Sequence, residues 1–287
     1  MHITGKTKIL GVIGDPVAHS RSPQMHNAAI AALKLDYVYL PFHVRAEDIC
    51  AAIDGFKALN VVGINVTIPH KQRVMAYLDG LTREAELIGS VNTLLFAEGR
   101  VVGDNTDAPG FLAGMREAGH EPPRGGSAAI LGAGGSARAV AVALALAGLK
   151  SMVIANRTTE KAIALAADLS EKLGVSIRGI GLDDVNLPHL IHSSQLVVNT
   201  TSVSMDETHP LLIQAEWLKP ETVVYDIVYT PPETQLMKAA RGRGCYTVGG
   251  LGMLVHQGAI AFKNWTYVTP PVDIMRRALQ EALGLVI

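Results

Sequence analysis

Ala128-Ala129-Ile130-Leu131 is a short apolar run that passes directly into Gly132-Ala133-Gly134-Gly135-Ser136-Ala137, and a helical pattern follows. Strand, glycine turn and helix in that order match G-x-G-x-x-A in the context the motif requires. The first glycine permits the tight turn, and the second lets a pyrophosphate approach the backbone. The small residue at the last position lets helix and strand pack closely, with the helix N-terminus facing the anion. A glycine-rich turn without a ligand would satisfy the same spacing; the flanking strand and helix favour a dinucleotide site at Gly132, Ala133, Gly134, Gly135 and Ser136. The next strand, Ser151 to Ala155, ends in Asn156-Arg157-Thr158, with no carboxylate to hold an adenosine 2′-hydroxyl. An arginine there can bind a 2′-phosphate through paired hydrogen bonds, so the expected cofactor is NADP rather than NAD.

The rest of the chain alternates apolar strands with amphipathic helices, the pattern of an α/β protein. Strands are expected at Lys8–Ile13, Tyr37–Val44 and Val61–Ile68, and helices from Ser22-Pro23 to about Leu33 and over Ala46–Leu59. Pro69 is expected to open another helix, since proline fits a first turn. Ser90–Phe96 and Val101–Asp104 flank Ala97-Glu98-Gly99-Arg100, a hairpin signal, and a helix starts after Asp107. Past the loop Glu121–Gly126 and the glycine turn, strands recur at Val153, Ile177, Val197-Val198 and Val223-Val224-Tyr225, as in a doubly wound sheet. Leu251–Leu285 reads as two helices parted by Thr269-Pro270-Pro271.

Lys and Arg total 25 against 26 Asp and Glu, a net charge of −1, with 48% hydrophobic residues. That balance argues against a nucleic-acid binder, which needs basic excess. No run approaches the roughly 18 apolar residues of a membrane span, and the start of the chain lacks a signal-peptide core, so a cytoplasmic location is expected. Two cysteines exclude a disulfide framework, and neither they nor the ten histidines show metal-ligand spacing, so no metal is expected.

A nicotinamide cofactor needs a substrate and a proton carrier. Lys71, in Asn65-Val66-Thr67-Ile68-Pro69-His70-Lys71, falls where a strand meets the helix expected at Pro69. Partial burial and the helix dipole there would lower its pKa and suit it to proton transfer. Asp107, at another strand-to-helix junction, could share that proton. A solvated lysine and a helix-capping aspartate fit the same positions, and spacing alone leaves both readings open.

His19-Ser20-Arg21-Ser22-Pro23, the segment Asn65 to Lys71, Gly89-Ser90-Val91-Asn92-Thr93 and Gly103-Asp104-Asn105-Thr106-Asp107 occur in that order, ahead of the glycine turn and Asn156-Arg157-Thr158. Asn199-Thr200-Thr201-Ser202, Asp226-Ile227-Val228-Tyr229-Thr230-Pro231 and the run Gly250 to Ala259 follow. The ordered set resembles the shikimate dehydrogenase family across nearly the whole chain. The resemblance implies reversible NADPH-dependent reduction of 3-dehydroshikimate to shikimate, on the route to chorismate and the aromatic amino acids. It implies an N-terminal α/β substrate domain (1–107 with 251–287) and a Rossmann-like NADP domain (108–250). The C-terminal helices return to the first, and the active site lies between the two.

By the same resemblance Lys71 and Asp107 are catalytic and bind substrate hydroxyls. Ser20 and Ser22 hold the substrate carboxylate, and Asn65, Thr67, Asn92, Tyr229 and Gln257 supply further substrate contacts. Cofactor contacts carry over to Gly132 through Ser136, to Asn156, Arg157, Thr158 and Lys161, and to Ile227 and Gly250. Helix capping remains open for Ser22, and ordinary packing roles for Thr67, Asn92, Tyr229 and Gln257. Two departures stand out: Ser204 replaces a glycine common in relatives, so residues 202–205 could loop differently, and Arg83 replaces a carboxylate near the cofactor. A quinate/shikimate dehydrogenase that uses NAD, a methylene-tetrahydrofolate dehydrogenase and a non-catalytic NADP sensor are the competing readings. The His-Ser-x-Ser-Pro segment weighs against the second, the joint presence of Lys71 and Asp107 against the third. The choice between monomer and homodimer stays open.

Overall fold

The structure is a computed structural model that describes residues 3–206 and 208–285. The chain divides into two compact units, Met1–Thr106 with Val255–Ile287, and Asp107–Leu254. Of the first domain expected from sequence, residues 1–2 and 286–287 lie outside the described residues.

In the first unit β1 (Lys8–Gly14), α1 (Ser22–Ala32), β2 (Tyr37–His43), α2 (Ile49–Ala58) and β3 (Gly63–Val66) come first. They are followed by β4 (Gly80–Leu81), α3 (Arg83–Ile88), β5 (Thr93–Ala97) and β6 (Arg100–Asp104). One six-stranded sheet runs β2-β1-β3-β5-β6-β4. Its β2-β1-β3 half is parallel, and β5 is antiparallel to both β3 and β6. The hairpin between β5 and β6 turns on Glu98 and Gly99, whose φ of 53° and 74° are those of the two-residue turn that matches strand twist.

The second unit begins with α4 (Asp107–Glu117) and continues through β7 (Ser127–Leu131), α5 (Gly135–Leu146), β8 (Ser151–Asn156), α6 (Thr159–Leu173) and β9 (Ser176–Gly181). Then come α7 (Leu187–Ser193), β10 (Leu196–Asn199), β11 (Val223–Asp226), α8 (Gln235–Gly242) and β12 (Tyr246–Gly249). Its sheet is β12-β11-β10-β7-β8-β9, parallel at every pairing. Counted from β7 this is the 3-2-1-4-5-6 order of a dinucleotide-binding fold, with the order reversing between β7 and β10. Such strands are covered on both faces, which is why Ile130, Ile154, Val198 and Val224 are all fully enclosed or nearly so.

The helices α9 (Leu251–Thr266) and α10 (Val272–Ala282) end the described chain. Residues of α9 from Val255 onward, and all of α10, belong to the first unit. There α10 packs on α1, and Trp265 packs against Gly63 and donates its Nε1–H to the Leu94 carbonyl at 3.0 Å. A Cβ at Gly63 would fall 2.0 Å from the indole, so only glycine admits the ring.

Three expectations need correction. The helix opened by Pro69 does not form. Residues 67–72 make turns, and a single 3₁₀ turn covers Arg73–Tyr77. Backbone groups there find other partners: the Lys71 carbonyl accepts from Val91 N at 2.8 Å, and His70 donates its Nε2–H to the Val44 carbonyl at 2.7 Å. The strand expected over Val61–Ile68 is only Gly63–Val66, and the helix expected over Ala46–Leu59 starts with a 3₁₀ turn, Ala46–Asp48. Strand β4, helix α3 and edge strand β12 carry too little apolar periodicity to be read from sequence.

His26 of α1 is enclosed, its ring stacked on Tyr39 at 4.3 Å and 3°, with Phe262 and Trp265 beside it. Burial pushes its pKa down from 6.5 to about 3. Between those values the unfolded chain takes up a proton that the folded chain refuses. Stability therefore declines as pH falls through that window, by up to about 1.4 kcal/mol per pH unit, and carries no such penalty above it. Urea unfolding at pH 7, 6, 5 and 4 is expected to show a shallower acid slope in His26→Phe than in wild type. Equal slopes would remove His26 from the acid response.

Candidate active site

In the first unit the expected substrate residues cluster around a buried polar network. Asn65, on β3, donates its amide to the Asn92 carbonyl and the Thr93 hydroxyl, both at 3.2 Å. Those two acceptors fix the orientation of the amide, so its Oδ1 faces Tyr39, whose hydroxyl donates to it at 2.7 Å. Asn92 accepts at Oδ1 from Thr106 N (2.8 Å) and the Thr93 hydroxyl (2.9 Å), and donates to Thr106 Oγ1 (3.0 Å) and Gln257 Oε1 (3.3 Å). Burial raises the Tyr39 phenol well above its ordinary pKa, opposed by a hydrogen bond from Ser22.

Ser22 is the first residue of α1 rather than its cap; Arg21 holds the cap position without a side-chain bond, and the Ser20 hydroxyl accepts from Ser22 N at 3.4 Å. Ser22 is buried, Ser20 half-buried, and Thr67 lies half-buried just past β3, its N–H on the Ile13 carbonyl at 2.9 Å. The structure thus joins Asn65, Asn92 and Gln257 in one network. Tyr39, Thr93 and Thr106 complete it, and sequence reading assigned them no role. The only cue for Tyr39 was a tyrosine in a strand, which packing explains equally well.

Lys71 is half-buried and follows His70 in the turn after β3. No helix begins there, so the dipole expected to act on Lys71 is missing. Its place is set by backbone bonds instead. The carbonyl of Lys71 is held by Val91, the residue before Asn92, and the His70 side chain ties the preceding turn to the end of β2.

In the second unit Asp107 is buried as the first residue of α4. The β7 turn has Gly132 at φ +109°, a conformation open to glycine. A Cβ there would also meet Thr200 Oγ1 at 2.6 Å. Gly134 caps α5 with open space over its Cα, leaving the first N–H groups of the helix accessible, as an anion requires. At the end of β8, Asn156 donates to the Thr158 carbonyl at 2.9 Å and shapes that loop. Arg157, Thr158 and Lys161 are exposed, and neither cation has an ion-pair partner among the described residues. Ile227 and Gly250 meet: a Cβ on Gly250 would strike the Ile227 carbonyl. Tyr229 is half-buried in the same loop after β11. Arg83 is exposed at the start of α3, and Ser204 lies in a 3₁₀ turn with its hydroxyl accepting from Asn199 Nδ2 at 3.0 Å.

Among the described residues no group of three or more His, Cys, Asp or Glu could hold a metal ion, and no helix is long and apolar enough to cross a membrane.

Family models match most of the chain: a shikimate dehydrogenase substrate binding domain at residues 12–94, a shikimate/quinate 5-dehydrogenase model at 121–220 and a shikimate 5'-dehydrogenase C-terminal domain at 250–280. A shikimate dehydrogenase (NADP(+)) of Methanopyrus kandleri is 47% identical over 98% of both chains. The chain belongs to the shikimate dehydrogenase family. A crystal structure of a shikimate dehydrogenase in complex with NADP+ superposes with a TM-score of 0.91 at 42% identity, covering 98% of each chain. The shikimate 5-dehydrogenase of Thermus thermophilus, in complex with NADP(H) and shikimate, has a TM-score of 0.85 at 37% identity, covering 96% of this chain and all of that one. The α/β fold with a Rossmann-like sheet is that of shikimate dehydrogenases.

Gly132→Ala is expected to cost about 1–3 kcal/mol, from the left-handed backbone and the contact with Thr200 together. The thermal midpoint should fall by several degrees, and an unchanged midpoint would show that the turn relaxes.

Proposed function

We propose that the protein catalyses the reversible NADPH-dependent reduction of 3-dehydroshikimate to shikimate, in the cytoplasmic route to chorismate and the aromatic amino acids. One observation carries this reading. A lysine tied by its backbone to the Asn92 segment stands in the unit that also gathers Ser22, Asn65, Asn92 and Gln257, neutral donors and acceptors suited to a polyhydroxy acid. Neutral hydroxyls such as those of Ser20 and Ser22 can bind a carboxylate without burying a countercharge. The first unit is the substrate domain and the second the NADP domain.

The residues of the second unit fit NADP. The accessible N-terminus of α5 suits a pyrophosphate, and the unpaired, exposed Arg157 and Lys161 suit a 2′-phosphate. When bound, NADPH supplies the hydride to the carbonyl carbon. Lys71, as an ammonium, gives the carbonyl oxygen its proton and takes it back in the oxidising direction. Asp107 is the carboxylate that supports this transfer, and Thr67 and Tyr229 complete the substrate contacts. Ile227 and Gly250 line the nicotinamide half through their backbones. The partner is therefore a small molecule; a net charge of −1 gives no basis for nucleic-acid binding. A homodimer is compatible with this reading and is checked by sedimentation.

Absorbance at 340 nm with shikimate or quinate, and NADP or NAD, tests the whole. Shikimate with NADP is expected to be turned over fastest. Quinate with NAD in first place would shift the reading to a quinate dehydrogenase, and silence from a folded protein with every pair would end it. Lys71→Ala should lower kcat by about 10²–10⁴-fold, the usual worth of a general acid–base group; a near-normal kcat removes Lys71 from proton transfer. Arg157→Ala should raise the KM for NADP far more than that for NAD, whereas equal changes would refute the 2′-phosphate role.

A further inference from the structure

Asp226 closes β11 with no exposed surface, and all its donors lie within the second unit. Its Oδ1 accepts from Asn199 Nδ2 at 2.9 Å and from Val228 N at 3.1 Å. Its Oδ2 accepts from the Thr234 hydroxyl at 2.8 Å. Each of the three donors belongs to a different piece of chain. Asn199 ends β10, Val228 is in the loop after β11, and Thr234 caps α8 by accepting from Met237 N at 3.3 Å. The donor directions are mutually consistent. Thr234 spends its single proton on the carboxylate while its oxygen accepts from Met237 N, and Asn199 Nδ2 donates both to the carboxylate and to the hydroxyl of Ser204, in the 3₁₀ turn Val203–Met205. Asn199 Oδ1 is itself filled by the Thr201 N–H and hydroxyl at 3.0 and 2.8 Å.

We propose that Asp226 is a positioning residue for the loop that carries Ile227 and Tyr229, and that Ser204 joins residues 202–205 to it through the shared Asn199 amide. The loop runs from Asp226 itself to Thr234, and the carboxylate accepts from Val228 near its start and from Thr234 at its end, so it clamps the loop at both ends. Burial raises its carboxyl above the ordinary range, opposed by the hydrogen bonds from its donors. The departure at Ser204 also finds its place, since a glycine there would supply no hydroxyl.

This assignment rests on the shikimate reading for its kinetic test, and on backbone exchange for a test that does not. Asp226→Asn puts an amide donor among three donors. Its amides over 227–234 should exchange with deuterium about ten-fold faster or more, and its KM for shikimate should rise about ten-fold. NADP affinity, measured by cofactor fluorescence, should fall by less than the KM for shikimate rises, because Gly132 and Arg157 are untouched and only Ile227 of the cofactor residues lies on the loop. Ser204→Ala removes the second acceptor of the Asn199 amide, and Thr234→Val removes one donor of the carboxylate together with the cap of α8; each should raise the same KM about two- to five-fold. Either should add little on top of Asp226→Asn, as expected for groups acting as one unit. Unchanged exchange over 227–234 in Asp226→Asn overturns the role whatever the substrate. Should that variant fail to fold, wild-type KM and exchange in both milder variants overturn it. Additive effects do the same. A wild type inactive on shikimate defeats the proposed function, whereas an active wild type with unaltered variants defeats only this inference.

Discussion

An amide, hydroxyl or carboxylate taken out of water must find a partner inside the protein or cost free energy, and both units are arranged around that requirement. In the first, Tyr39, Asn65, Thr93, Asn92, Thr106 and Gln257 pass hydrogen bonds from one to the next, across strands β2, β3 and β5 and onto α9. In the second, Asp226 collects donors from three pieces of chain. A fully paired buried network has few alternative arrangements, so the side chains it includes are held before any ligand arrives. That preorganisation is what a site needs in order to spend its interactions on the reacting molecule.

Close packing does the complementary work. Gly63 lets the Trp265 indole lie on β3, and Gly250 lets the backbone at the start of α9 touch that of Ile227. In each case the missing side chain is replaced by another part of the protein, so tertiary structure rather than a turn explains the glycine. The same close approach brings Thr200 against Gly132, beside the helix N-terminus where an anion would sit.

The second unit was largely legible in the sequence. Its parallel strands are buried on both faces, so Ala128–Leu131 and Val197-Val198 read as plain apolar runs. The glycine turn is a local device whose geometry follows from residue type. The hairpin at Glu98-Gly99 was legible for the same reason. Lys71 was not. Proline at 69 and the polar residues after it fit a helix start, yet Val91 and Val44 supply partners for that segment from elsewhere in the first unit, and the local preference loses. Strands β4 and β12 and helix α3 were missed because elements of two, four and six residues repeat the hydrophobic pattern too few times to stand out. The residues chosen as ligands were found as motifs, while Tyr39, which orients one of them, sits outside every motif.

From the order of residues alone came the α/β class, the dinucleotide turn, the absence of a carboxylate at the end of β8 and the family to which the chain belongs. These depend on residue type at short spacing, where backbone geometry and side-chain chemistry leave few choices. Which polar groups face one another, that Lys71 leaves a turn rather than a helix, and that Ser204 and Asp226 share the Asn199 amide came only with tertiary structure. Such contacts join residues as far apart in sequence as Asn92 and Gln257, and their partners are selected by burial, which no local stretch of sequence encodes.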